Sequence, residues 1–219
     1  MSASALQVHY RLYHYWRSSS SWRVRWAFNL KGIMYEPIPV NLLSGESESD
    51  EHLARHPAGF VPVLEFNHLI TGKPVHLTES LAIIQYLDSQ HEGPTIIPSD
   101  PIARAKVWAL AEVVNAGTQP IQNIPVAHFH SSDPAEQKRW NQHWIRNGLE
   151  IYEKLAAPGA GRYSYGNDLT LADLCLMPQI YNAERFEVPF KDLPTLVRIH
   201  ENCLSTASYP ESHPDCFKP

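Results

Sequence analysis

Arg17-Ser18-Ser19-Ser20-Ser21-Trp22-Arg23-Val24-Arg25 is the stretch whose reading decides the fold. Just upstream, Val8-His9-Tyr10-Arg11-Leu12-Tyr13 is rich in β-formers and reads as a strand. Just downstream, Trp22, Trp26 and Leu30 recur at helical spacing, and Lys31-Gly32 supplies a stop. The serines therefore sit on a turn from a strand into a helix. There the first backbone N–H groups lack intrahelical partners and the dipole presents its positive end. An anion is favoured at such a place, and hydroxyls can donate hydrogen bonds to it. A cap takes one serine; the run points to an anion or thiolate site.

Working outward, Met34–Val40 reads as a second strand whose prolines suit a sheet edge. An acidic stretch, Ser44–Asp50, leads to a short helix near Glu51–Arg55. Phe60–Phe66 is a strand with Pro62 near its start, Thr71-Gly72-Lys73 a turn, and Val75–Leu77 the answering strand. Thr78-Glu79-Ser80 opens a helix with Leu81, Ile83, Ile84 and Leu87 on its apolar face. This order, β-α-β, then α, then β-β-α, is that of an α/β thioredoxin-like N-terminal domain, 1–90. Serines stand where a redox protein of this fold carries cysteines, which argues against thiol-disulfide chemistry. The place of Pro62 in the fold raises the expectation of a cis bond.

Residues 91–99 have the Gly, Pro and Ser density of a linker, and the pattern beyond them is helical only, giving an all-α C-terminal domain, 100–219. Asp100-Pro101 and Asp133-Pro134 each place a capping carboxylate before a proline, and Glu136 adds the acid of a capping box. Thr170 can cap the next helix with Asp173 reaching back, and Pro194–Leu204 is amphipathic before an irregular tail.

The 219 residues carry a formal charge of −5, which leaves no basic footprint for nucleic acid. No run approaches the ~18 apolar residues of a membrane span, and residues 1–7 lack the pattern of a secretory leader. Cys175, Cys203 and Cys216 are odd in number and form no C-x-x-C pair, so a reducing, cytoplasmic setting is expected. His128 and His130 would face different sides of a helix, so no metal site is expected. Cys175 reads as a small buried hydrophobe, Trp22 and Trp26 as core, and Arg23 and Arg25 as members of structural ion pairs.

Almost the whole chain resembles the zeta class of glutathione transferases. The most specific piece is Ser18–Arg25, matching S-S-C-S-W-R-V-R except that Ser20 replaces the cysteine. Val61-Pro62-Val63-Leu64, Glu79–Ile84, Gln119–Asn123 and Thr170–Phe186, with its N-A-E-R-F, extend the match. The resemblance implies a glutathione site in which Ser18 bonds the sulfur, with Ser19 and Ser20 beside it. It implies that the Val61 backbone, before a cis Pro62, pairs with the cysteinyl unit, and that Glu79 and Ser80 hold the γ-glutamyl end. Gln119 and Asn123 are implied to reach in from the helical domain, and Arg185 to bind an acceptor carboxylate. Glu79 replaces the usual Gln, and His56 the frequent Asn.

The implied activity is glutathione-dependent cis–trans isomerisation of maleylacetoacetate to fumarylacetoacetate by a homodimer. Its alternatives are transfer to other small electrophiles such as α-halo acids, and non-catalytic glutathione binding.

Overall fold

A computed structural model describes residues 8–219; the expectation about residues 1–7 lies outside the described residues. Contacts divide the chain into two units, one comprising the chain up to Pro94 together with Pro210–Pro219, the other Thr95–Tyr209.

In the first unit, β1 (Tyr10–His14), β2 (Tyr35–Pro39), β3 (Val63–Asn67) and β4 (Pro74–Thr78) form one sheet in the order β2-β1-β3-β4. β1 pairs parallel with β2 and antiparallel with β3, and β3 antiparallel with β4. β2 is an edge, where Pro37 and Pro39 withhold no donor that a neighbouring strand requires. α1 (Ser19–Lys31) packs against α3 (Ser80–Gln90), and α2 (Asp50–Arg55) precedes β3.

The sequence suggests an apolar stripe on α1, yet every residue from Ser21 to Phe28 is buried, Arg23 and Arg25 included. Part of the reason lies in the tail, which the sequence groups with the helical half. Trp22 Nε1 donates to Ser212 Oγ at 2.9 Å, and the Phe217 ring meets His14 edge-on at 5.2 Å. The tail is also less irregular than expected, with α9 (Ser208–Ser212) and a 3-10 turn at Pro214–Phe217.

His14, at the end of β1, is buried, and Arg25 donates to its Nδ1 at 3.2 Å, so the ring sits neutral with its proton on Nε2. Burial, aided by the Arg25 charge, lowers its pKa to about 3. Between the ordinary value of 6.5 and that figure the unfolded chain binds the extra proton, so stability falls as pH drops through this window. At pH 5 the loss from this group is about 2 kcal/mol. His14→Asn keeps an acceptor for Arg25 and should remove that increment. Urea unfolding of both proteins at pH 7 and pH 5 measures it; parallel losses would rule His14 out as the source.

The second unit holds α4 (Pro101–Asn115), α5 (Ile124–His130), α6 (Pro134–Ala156), α7 (Leu171–Arg185) and α8 (Pro194–Leu204). α4 packs on α6 and α7, and α8 packs on the same two. Asp100 and Asp133 cap α4 and α6 as expected, accepting from Ala103 N at 2.8 Å and Ala135 N at 3.0 Å. The capping box expected at Glu136 does not form: Asp133 N–H goes to Ser131 Oγ, and Glu136 pairs with Arg139 instead.

At α7, Asp173 is fully buried. Its Oδ2 accepts from Thr170 N at 2.8 Å and Thr170 Oγ1 at 3.0 Å, its Oδ1 from Ser164 N at 2.8 Å. Cys175 is buried on the same helix. Among the described residues no helix is long and apolar enough to cross a membrane.

Candidate active site

Ser18 is the N-cap of α1, in extended backbone, and its Oγ accepts from Ser21 N at 3.2 Å. Its N–H donates to Tyr15 O at 3.1 Å and its C=O accepts from Trp22 N at 2.9 Å. The hydroxyl proton of Ser18 has no acceptor among the described residues. Ser21 is buried and braces the turn from inside, accepting from Tyr15 N at 3.4 Å. Two of the serines thus hold the turn, while Ser19 and Ser20 form the half-buried opening of the helix. The first turn holds no acidic residue of its own to offset the positive end of the dipole.

The Val61-Pro62 bond is cis, as expected. Neither backbone group of Val61 has a hydrogen-bond partner among the described residues. Its side chain packs with Tyr13, Tyr15, Val40 and Val63, which fixes the segment from beneath. An ordered segment with an open N–H and C=O is a ready edge for an extended peptide.

Glu79 occupies φ 65°, a left-handed conformation that an ordinary side chain rarely adopts. It precedes α3 but does not cap it, and that first turn too lacks acidic residues. The N–H groups of Ser80, Leu81 and Ala82 have no partner among the described residues. Ser80 itself is anchored, its Oγ accepting from Arg23 NH1 at 3.2 Å. This open helix N-terminus suits a carboxylate, and the exposed Glu79 side chain suits a cation beside it.

In the second unit Gln119 is half-buried in the turn after α4, its N–H bonded to Val114 O at 2.8 Å. Asn123 is exposed and caps α5, its Oδ1 accepting from Ile124 N at 3.0 Å. Arg185 is exposed at the end of α7, its NH1 donating to Asn182 Oδ1 at 3.0 Å and its guanidinium near the Tyr181 and Phe186 rings.

Residues 12–95 match the family model described as glutathione S-transferase, N-terminal domain. The maleylacetoacetate isomerase of Rhizobium meliloti (strain 1021) is 41% identical, the alignment covering 95% of this chain and 97% of that one. A zeta-class glutathione S-transferase of Euphorbia esula is 39% identical over 94% of this chain and 90% of its own. This chain belongs to the zeta-class glutathione transferases. The fold agrees with that family: a crystal structure of maleylacetoacetate isomerase from Anaeromyxobacter dehalogenans 2CP-1, with glutathione in the active site, superposes with TM-score 0.87 at 43% identity, covering 95% of this chain and 96% of that one. The same protein is also known with dicarboxyethyl glutathione and citrate in its active site.

His56, which the resemblance sets against a frequent Asn, has a bond that the geometry explains. It ends α2, is buried, and its Nδ1 accepts from Ala58 N at 3.2 Å. An Asn side-chain oxygen can accept from the N–H two residues on, and the imidazole nitrogen makes the equivalent bond here. Burial lowers the His56 pKa, which keeps that nitrogen an acceptor. His52 escaped notice in the sequence. Its Nε2 donates to Phe60 O at 2.9 Å and so steadies the residue before Val61, and the only hint was its place four residues from His56. Arg25 was expected in an ion pair; among the described residues no carboxylate meets it, and carbonyl oxygens take that place.

Proposed function

We propose that this chain catalyses the glutathione-dependent cis–trans isomerisation of maleylacetoacetate to fumarylacetoacetate, a step in aromatic amino-acid catabolism. The observation that carries the reading is the Ser18 hydroxyl, whose proton has no acceptor among the described residues, at the N-terminus of a helix whose first turn holds no acidic residue. The residues present fit glutathione along its length. Ser18 donates to the sulfur, with Ser19 and Ser20 at the same helix opening. The open backbone of Val61 before cis Pro62 pairs with the cysteinyl unit. The α3 N-terminus at Ser80 takes the γ-glutamyl carboxylate and Glu79 its ammonium. Gln119 and Asn123 are assigned to glutathione as well, by family resemblance.

Bound glutathione supplies a thiolate that adds to the conjugated double bond, permits rotation, and is eliminated. The protein's task is to keep that thiol ionised and the dicarboxylate oriented. Lowering a thiol about 2 units from its ordinary value of about 8.5 requires about 2.7 kcal/mol. A hydrogen bond to a charged sulfur supplies about 1.5–3 kcal/mol, and a helix N-terminus about 0.3–2 kcal/mol. Together these meet the requirement. Ser20 in place of the motif cysteine keeps a hydroxyl donor and removes a competing nucleophile, so the substitution leaves this chemistry intact.

A homodimer in a reducing cytoplasm completes the proposal. The exposed Phe60, Leu69 and Ile70 on the first unit are in keeping with the dimer, and three free thiols with the compartment.

Purified protein should convert maleylacetoacetate only when glutathione is present; turnover of α-halo acids in its place would overturn the isomerase reading. Arg185 is assigned to one acceptor carboxylate, which its planar fork grips at two points. Arg185→Lys keeps the charge but not the fork, and should raise the KM for the dicarboxylate about tenfold, equivalent to about 1.4 kcal/mol. Glutathione affinity should hold; unchanged acceptor kinetics would return Arg185 to a structural role.

A further inference from the structure

Arg25 is fully buried in α1, and its guanidinium joins two stretches far apart in sequence. On one side NH2 donates to Trp16 O at 3.0 Å and NH1 to Tyr15 O at 3.4 Å. On the other Nε donates to Ser212 O at 3.3 Å, and the Phe217 ring covers the group at 4.6 Å. NH1 also reaches His14 Nδ1 at 3.2 Å. Tyr15 O is the acceptor of the Ser18 N–H as well, so Ser18 and Arg25 are tied through a single oxygen.

We propose that Arg25 is a positioning residue for the Ser18 turn, and that Ser212 and Phe217 of the C-terminal tail are the clamp that holds it in place. The inference rests on the reading that this turn holds the glutathione sulfur. A guanidinium presents its donors in a fixed planar fork, so contacts on one edge set the direction of those on the other. Ser212 O fixes the Nε edge and thereby aims NH1 and NH2 at the carbonyls of Tyr15 and Trp16. Phe217 keeps water from competing for the same N–H groups and contributes a cation–π contact.

The cation has a second effect. Burial lowers its pKa only to about 10, so it stays charged at neutral pH. No carboxylate among the described residues offsets it, and in a poorly solvated interior its field adds to that of the α1 N-terminus.

The test uses Arg25→Lys and Phe217→Ala in the full chain. The first readout is amide hydrogen exchange at Ser18, Ser21 and Trp22, whose N–H groups close the turn, with Leu64 and Phe66 of β3 as reference. Both variants should exchange at least tenfold faster in the turn and unchanged in β3. The second is the pKa of enzyme-bound glutathione, followed by thiolate absorbance, which should rise by half a unit or more. Turn protection that survives in Phe217→Ala, or loss spread equally over turn and β3, would overturn the proposal. If Arg25→Lys fails to fold, Phe217→Ala decides alone. The exchange readout needs no ligand, so a wild type that binds no glutathione sinks the functional reading and leaves the clamp still decided.

Discussion

Ser18→Ala is expected to cut isomerase turnover at least tenfold and to raise the pKa of the bound glutathione thiol. A methyl group cannot donate to sulfur, and loss of about 1.4 kcal/mol of thiolate stabilisation accounts for a factor of ten. Alanine also removes the acceptor for Ser21 N, and an N-cap lost to Ala costs about 0.5–2 kcal/mol of stability. Ser18→Gly separates the two effects, since glycine costs an N-cap only a few tenths of a kcal/mol. Both variants should lose turnover to a similar degree, while alanine alone should lower the thermal midpoint. The pH dependence of kcat/KM is the deciding measurement: superimposable profiles of variant and wild type would mean that Ser18 does not meet the sulfur.

The largest effect on stability is expected at Asp173. Its carboxylate takes two backbone N–H groups and a hydroxyl, all buried. Asp173→Ala leaves the two amides without partners, at about 1–3 kcal/mol each, while the Thr170 hydroxyl can turn elsewhere. The total, about 2–6 kcal/mol, is a large fraction of the 5–15 kcal/mol typical of a folded chain. Asp173→Asn retains an oxygen but turns an N–H₂ toward a donor, so it should fall between. Urea unfolding gives the number, and a loss below about 1 kcal/mol would show that the amides find water instead. Burial raises the Asp173 pKa despite these hydrogen bonds. Protonation of this group therefore favours the fold, so Asp173 is not a source of acid instability.

What could be read in advance was whatever lies within one turn of helix or one strand. The Ser18 turn, the edge prolines of β2 and the Thr170–Asp173 pair all depend on residues a few positions apart. Within α5 only His128 and His130 stand out in the sequence, which sets no bounds for the element, because a helix of Ile124–His130, with Pro125 near its start and two histidines near its end, carries little apolar periodicity. Glu136 misled because its spacing from Asp133 suits a capping box and its spacing from Arg139 suits an ion pair equally well. The tail was out of reach in principle, since Trp22 and Ser212 are 190 positions apart. Arg25 followed the same rule: a buried cation balanced by carbonyls leaves no mark in the sequence, because every residue has a carbonyl. Of the positions proposed to bind glutathione, Ser18 follows from its place on the turn, whereas Val61, Glu79 and Ser80 rest on resemblance.

Because Pro210–Pro219 packs into the unit that holds β1 and α1, the ribosome makes one piece of that unit before the helical half and the other piece after it. While the helical half is being translated, Trp22 and Arg25 have neither Ser212 nor Phe217 to meet. The first unit can reach its final form only after residues 210–219 have left the exit tunnel. A premature stop just after Tyr209 would then strike the unit that was largely synthesised before the helical one.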